Sequence, residues 1–130
     1  MIESTVLNTE PYPKINCVIL ELYYQNKPLA ISPEQTPFHI GRENTDAGLS
    51  VTCEFASRQH CSIEFHGGKF VLKDFSRNGT YVQLSRTQNF RLLNEEAPLI
   101  GSGCFKLGAE IHLNDPEQIL FKIQTKPRSA

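Results

Sequence analysis

The stretch CSIEFHGGKFVLKDF, Cys61 to Phe75, decides the fold. Its first five residues alternate apolar and polar, the period of a strand with one buried face. Gly67-Gly68 then reads as a two-residue hairpin turn, because a type I′ turn needs positive φ at both central positions. Phe70 to Phe75 forms the returning strand. Outward from this hairpin the chain repeats the same grammar of short apolar runs separated by turn residues. Upstream lie Ile15 to Tyr24, a turn at Gln25 to Pro28 into Leu29 to Ile31, Phe38 to Gly41 beyond a loop bracketed by Pro33 and Pro37, and Leu49 to Val51. Downstream lie Thr80 to Leu84, Phe90 to Leu93, Leu99 to Ile100, Cys104 to Leu107, Glu110 to Leu113 and Ile119 to Ile123. No long helix, internal repeat or low-complexity tract interrupts them. About ten or eleven short strands at this spacing predict an all-β, two-sheet sandwich.

The chain has 130 residues, enough for one core and too few for two. Hydrophobic residues make up 39% and charged residues 21%, so a core can form without a disulfide or a metal. The net charge of −1 argues against a general nucleic-acid or membrane-surface binder, which carries a basic excess. No apolar run approaches the roughly 20 residues that span a bilayer. The opening MIESTVLNTEPYPK lacks the basic start and apolar stretch of a secretory signal. Cys17, Cys53, Cys61 and Cys104 form no C-x-x-C pair, and His60 beside Cys61 does not make metal-ligand spacing. They read as reduced thiols of an intracellular protein. Residues 1–14 read as a flexible lead-in, 15–124 as the domain, and 125–130 as a tail.

Three loop segments stand at strand ends: FHIGRE, Phe38 to Glu43; ASRQH, Ala56 to His60; and DFSRNGTYV, Asp74 to Val82. Singly each is weak. In this order and at these separations they match GR, then SRxH, then SxNGTxV. From about Ile15 to Ile123 the sequence resembles the forkhead-associated (FHA) domain family. The resemblance implies a SMAD/FHA-like sandwich that recognises phosphothreonine in a partner protein, itself a kinase substrate or a kinase. It implies no catalysis and no cofactor. By the family pattern, Arg42 and Ser57 bind the phosphate, Arg58 assists, Asn78 holds the peptide backbone, and Arg77 lines the pocket. Phe55, two residues before Ser57, falls where the family reads a residue beyond the phosphothreonine, and an apolar Phe favours an aliphatic or aromatic side chain there.

The chemistry is consistent with that reading. A phosphothreonine carries roughly −1.5 to −2 charges and three acceptor oxygens. Its receptor needs fork-shaped cations, small hydroxyl donors and backbone N–H groups converging on one point. Other residues of the motifs have structural readings: Gly41 and Gly79 set backbone geometry, His60 braces the loops, and Thr80 and Tyr81 begin a strand. Arg58 and Arg77 also fit ordinary exposed loop positions.

Four other readings compete. Ser57 and His60 could form a nucleophile and base, but no third group orients them and no G-x-S-x-G elbow surrounds the serine. The domain could be a phospho-independent interaction or assembly module, including the regulatory domain of a larger enzyme. Thr5 or Thr9, once phosphorylated, could fold back onto the binding site. Asn78-Gly79-Thr80 is formally a glycosylation sequon, inert without export. The expected compartment is the cytoplasm, or the nucleus in a eukaryote; oligomeric state is open.

Overall fold

The computed structural model describes residues 16–44, 46–84 and 88–127. They form eleven strands: β1 (Asn16–Tyr24), β2 (Lys27–Ile31), β3 (Phe38–Arg42), β4 (Leu49–Val51), β5 (Cys61–His66), β6 (Lys69–Asp74), β7 (Thr80–Gln83), β8 (Asn89–Leu92), β9 (Glu96–Pro98), β10 (Ser102–Leu107) and β11 (Ile119–Pro127). A single 3-10 turn, Pro33–Gln35, is the only helical piece among them. Among the described residues no helix is long and apolar enough to cross a membrane.

The strands make two facing sheets, as expected from the spacing. One has the order β2-β1-β11-β10-β7-β8 and the other β4-β3-β5-β6-β9. All pairings are antiparallel except β3 with β4. The β5–β6 hairpin closes at His66 opposite Lys69, with Gly67 at φ 57 and Gly68 at φ 80. A side chain at either glycine would meet no steric obstacle, so it is the backbone conformation that selects glycine.

Alternation sets which face is buried. In β1, Leu20, Leu22 and Tyr24 point inward and Tyr23 outward; in β11, Ile119 and Phe121 point inward and Leu120 outward. Across the gap they meet Ile40, Ile63, Phe70 and Leu72 of the other sheet in one cluster. Each such side chain contributes about 1.5–3 kcal/mol by leaving water. Phe65 and Phe70, cross-strand partners in the hairpin, add an edge-on ring contact at 4.9 Å.

Three expected boundaries differ. Leu99 to Ile100 is not a strand; the strand lies just before it, at Glu96–Pro98. This β9 is an edge strand, where a proline is tolerated because its missing N–H faces away from the ladder. Glu110 to Leu113 is not a strand either. Its alternation has nothing to bury against, and Leu113 is 89% exposed. The buried Asp115 shapes this segment instead. Its carboxylate accepts bonds from the Lys106 ammonium at 2.7 Å and from the N–H groups of His112 and Glu117. Finally, β11 continues past 124 to Pro127, where Thr125, Lys126 and Pro127 pair with Val18, Cys17 and Asn16.

Candidate functional site

The loops after β3, β4, β6 and β10 converge at one end of the sandwich. The first two are laced by backbone. At Gly41, near the end of β3, a Cβ would lie only 1.6 Å from the Arg58 carbonyl oxygen, so this close approach requires glycine. Next to it, the Arg42 N–H donates to the Ser57 carbonyl at 2.9 Å. Asn44 completes the clamp by donating its side-chain amide to the Arg58 carbonyl at 2.9 Å. Arg42 and Ser57 are thus neighbours through backbone contacts. Both are half-buried, and the Arg42 Nε has no hydrogen-bond partner among the described residues.

His60 ties the second loop to the third. Fully buried, its Nδ1 accepts the Ser57 N–H at 2.9 Å. That fixes the proton on Nε2, which donates to the Gly79 carbonyl at 2.8 Å. Burial pushes the ring's pKa below its usual value, against the opposing pull of the Gly79 carbonyl and Asp74, so the imidazole stays neutral. Both ring nitrogens are therefore engaged by backbone, and the Ser57 hydroxyl bonds elsewhere, accepting the Arg77 N–H at 3.3 Å. A serine nucleophile with a histidine base is not assembled here.

Asp74, not singled out from the sequence, organises the third loop. Its buried carboxylate accepts the Ser76 N–H and hydroxyl, the Thr80 hydroxyl at 2.7 Å, and the Asn94 N–H at 2.9 Å. The Ser76 hydroxyl in turn accepts the Gly79 N–H at 2.8 Å. These bonds hold the Asn78-Gly79 turn so that Arg77 and Asn78 stand exposed. Asn78 donates one amide N–H to the Phe55 carbonyl at 2.9 Å, which leaves its oxygen and second N–H with bonding capacity to spare. Gly108, also not anticipated, joins the cluster: its N–H donates to the Gly79 carbonyl, and a Cβ there would lie 2.2 Å from the Phe55 carbonyl oxygen. The only sequence signal for it was a glycine at the end of an apolar strand. A buried aspartate that organises a loop has none, because its partners are brought together by the turn it stabilises.

The structure thus gathers Arg42, Ser57, Arg58, Arg77, Asn78 and Phe55 on loops at one end. Arg77, Asn78 and the 53% exposed Phe55 line a common hollow of about 440 Å³. Among the described residues no three His, Cys, Asp or Glu side chains gather as a metal site. Cys53, Cys61 and Cys104 are free and buried, and burial pushes the Cys61 and Cys104 thiols up, away from reactivity. Thr5 and Thr9 lie outside the described residues.

The architecture is an eleven-stranded sandwich with polar loops converging at one end. The family model of the FHA domain matches residues 38–99, which span all three loop motifs. No curated protein matches the chain. Among solved structures it is similar to Mycobacterium tuberculosis Rv1747 FHA-1, at 19% identity and a TM-score of 0.64 over 82% of this chain and 97% of that one. It is also similar to the FHA domain of an Arabidopsis thaliana hypothetical protein, at 20% identity and a TM-score of 0.62 over 86% and 89%. A third is the N-terminal FHA domain of S. cerevisiae Rad53p in complex with a phosphothreonine peptide, at 16% identity and a TM-score of 0.60 over 81% and 91%. These likenesses establish the fold.

Proposed function

We propose that this chain is a phosphothreonine-peptide-binding module in protein–protein signalling. The observation that carries the reading is the Arg42–Ser57 pair. Backbone bonds fix the two residues side by side, and Arg42 retains an unpartnered buried donor. Arg42 and Ser57 contact the phosphate, Arg58 adds a second cation, and Asn78 uses its free amide capacity on the peptide backbone. Arg77 lines the pocket and contacts phosphate or an acidic neighbour. Phe55 favours an apolar side chain beyond the phosphothreonine. Two or three charge-assisted hydrogen bonds, at about 1.5–3 kcal/mol each before the cost of ordering the peptide, are consistent with roughly micromolar binding.

The partner in this reading is a phosphothreonine-containing protein, a kinase substrate or a kinase, in the cytoplasm or in the nucleus of a eukaryote. The domain itself binds without turnover, and any activity of a longer protein lies elsewhere. The test is a phosphothreonine peptide-library screen with Arg42→Ala as control. Phosphate-dependent binding that the substitution abolishes supports the proposal. Equal affinity for phosphorylated and unmodified peptides moves the function to a phospho-independent interface.

A further inference from the structure

From the loop cluster a groove continues onto the outer face of β7 and β8. Tyr81 on β7 and Arg91 on β8 are direct cross-strand partners. The Arg91 guanidinium carbon lies 5.9 Å from the centre of the Tyr81 ring. Its aliphatic stem runs over Gly79, where a Cβ would come within 2.9 Å of both Cγ and Cδ of Arg91. The missing side chain of Gly79 therefore makes the bed for that stem. Held at the stem by Gly79 and at the head by the ring, Arg91 has little rotamer freedom left to lose on binding. It is nevertheless exposed, and none of the ion pairs among the described residues involves it.

Two adjoining hollows meet at this arginine. One, about 440 Å³, contains Phe55, Arg77 and Asn78 of the loop cluster. The other, about 430 Å³, runs over Gln83 and Phe90 on the sheet face. Tyr81, Arg91 and Glu110 line both, so the groove is continuous from the loops onto the sheet.

We propose that this groove takes the flank of the bound phosphopeptide, and that Arg91 receives a second anionic group there, a carboxylate or another phosphate. The proposal rests on phosphothreonine binding at the loops. Continuity with the loop cluster supplies the occupant, and the pre-set cation supplies the charge. Arg77 in the adjoining hollow has the same sign. Glu110 on the groove wall opposes an anion and limits the gain, which distinguishes this subsite from a general basic patch.

The test is fluorescence anisotropy with phosphothreonine peptides in an alanine background, replacing one flanking position at a time with glutamate or phosphoserine. At one position the acidic residue should tighten binding about 5-fold, the scale of a favourable partly exposed ion pair. Arg91→Gln should erase that gain while leaving the all-alanine phosphopeptide within about 2-fold of its affinity. Arg91→Lys should keep part of the gain, and Glu110→Gln should enlarge it. Phosphate-dependent binding with no acidic gain at any position, or a gain that survives Arg91→Gln, overturns the subsite alone. Loss of all phosphate dependence overturns the loop reading and, with it, the assignment of the groove to a phosphopeptide flank.

Discussion

Gly41 leaves no room for a β-carbon against the Arg58 carbonyl, and the loops that carry Arg42 and Ser57 meet there. Gly41→Ala should force the two loops apart, lowering stability by about 1–3 kcal/mol in denaturant titration and weakening phosphopeptide binding together. A fold loss without a binding loss would separate this contact from the site. At this scale much of the candidate site is legible in the sequence. Arg42, Ser57, Arg58, Arg77 and Asn78 stand in motifs whose residue types answer the demands of a phosphate. His60 was readable as a brace, and it proves to bridge Ser57 and Gly79. Asp74, Asn44 and Gly108 were not legible, because each acts on residues distant in sequence or on a turn whose geometry only the folded chain defines.

Among the elements, the segment between β10 and β11 departs furthest from its sequence pattern. Glu110 to Leu113 alternates like a strand, but no neighbouring strand is available to pair with it. The segment is set instead by Asp115, whose side chain is fully buried against the nearly buried Lys106 ammonium at 2.7 Å. Asp115→Ala should cost about 2–3 kcal/mol, somewhat less than for a dry interior pair because the loop lies at the surface. Lys106→Met combined with Asp115→Ala should recover much of that loss, as measured by paired denaturant titrations; a double variant no better than Asp115→Ala would show that the pair is not the cause. The hairpin at Gly67-Gly68 and the apolar interior strands were legible from alternation and turn residues alone. The edge strand β9 was not, since Glu-Ala-Pro has no strand propensity and is recruited by pairing with Val71 to Lys73.

For the molecule as a whole, acid stability follows from three groups. His60 is held neutral by burial, with its folded pKa below the usual 6.5. The unfolded chain therefore binds a proton first, and stability falls as pH drops below about 6.5, with a slope of at most about 1.4 kcal/mol per pH unit. Burial pushes the Asp115 carboxyl up, but the Lys106 ammonium and the N–H groups of Glu117 and His112 outweigh it and leave it below its usual value. The His66 hydrogen bond likewise lowers Glu64. Stability from these two is present above the ordinary carboxylate range and is lost only as pH falls through and below it. Thermal melts from pH 8 to 3 should thus decline in two stages, the first tracking the window in which His60 would titrate if exposed. In NMR, the His60 ring should remain in its Nε2-protonated form at pH 6; a ring that titrates near 6.5 would contradict the bracing role.

In the proposed function, a rigid sandwich holds loops whose arginine and serine grip a phosphothreonine. Isothermal titration of the protein with a phosphothreonine peptide from the library screen, its unphosphorylated counterpart and the Arg42→Ala variant tests it most directly. The account predicts roughly micromolar binding only to the phosphorylated peptide, weakened about 10- to 100-fold by Arg42→Ala in a protein that remains folded. Equal binding of both peptides, or phosphate-dependent binding that Arg42→Ala leaves intact, would contradict it.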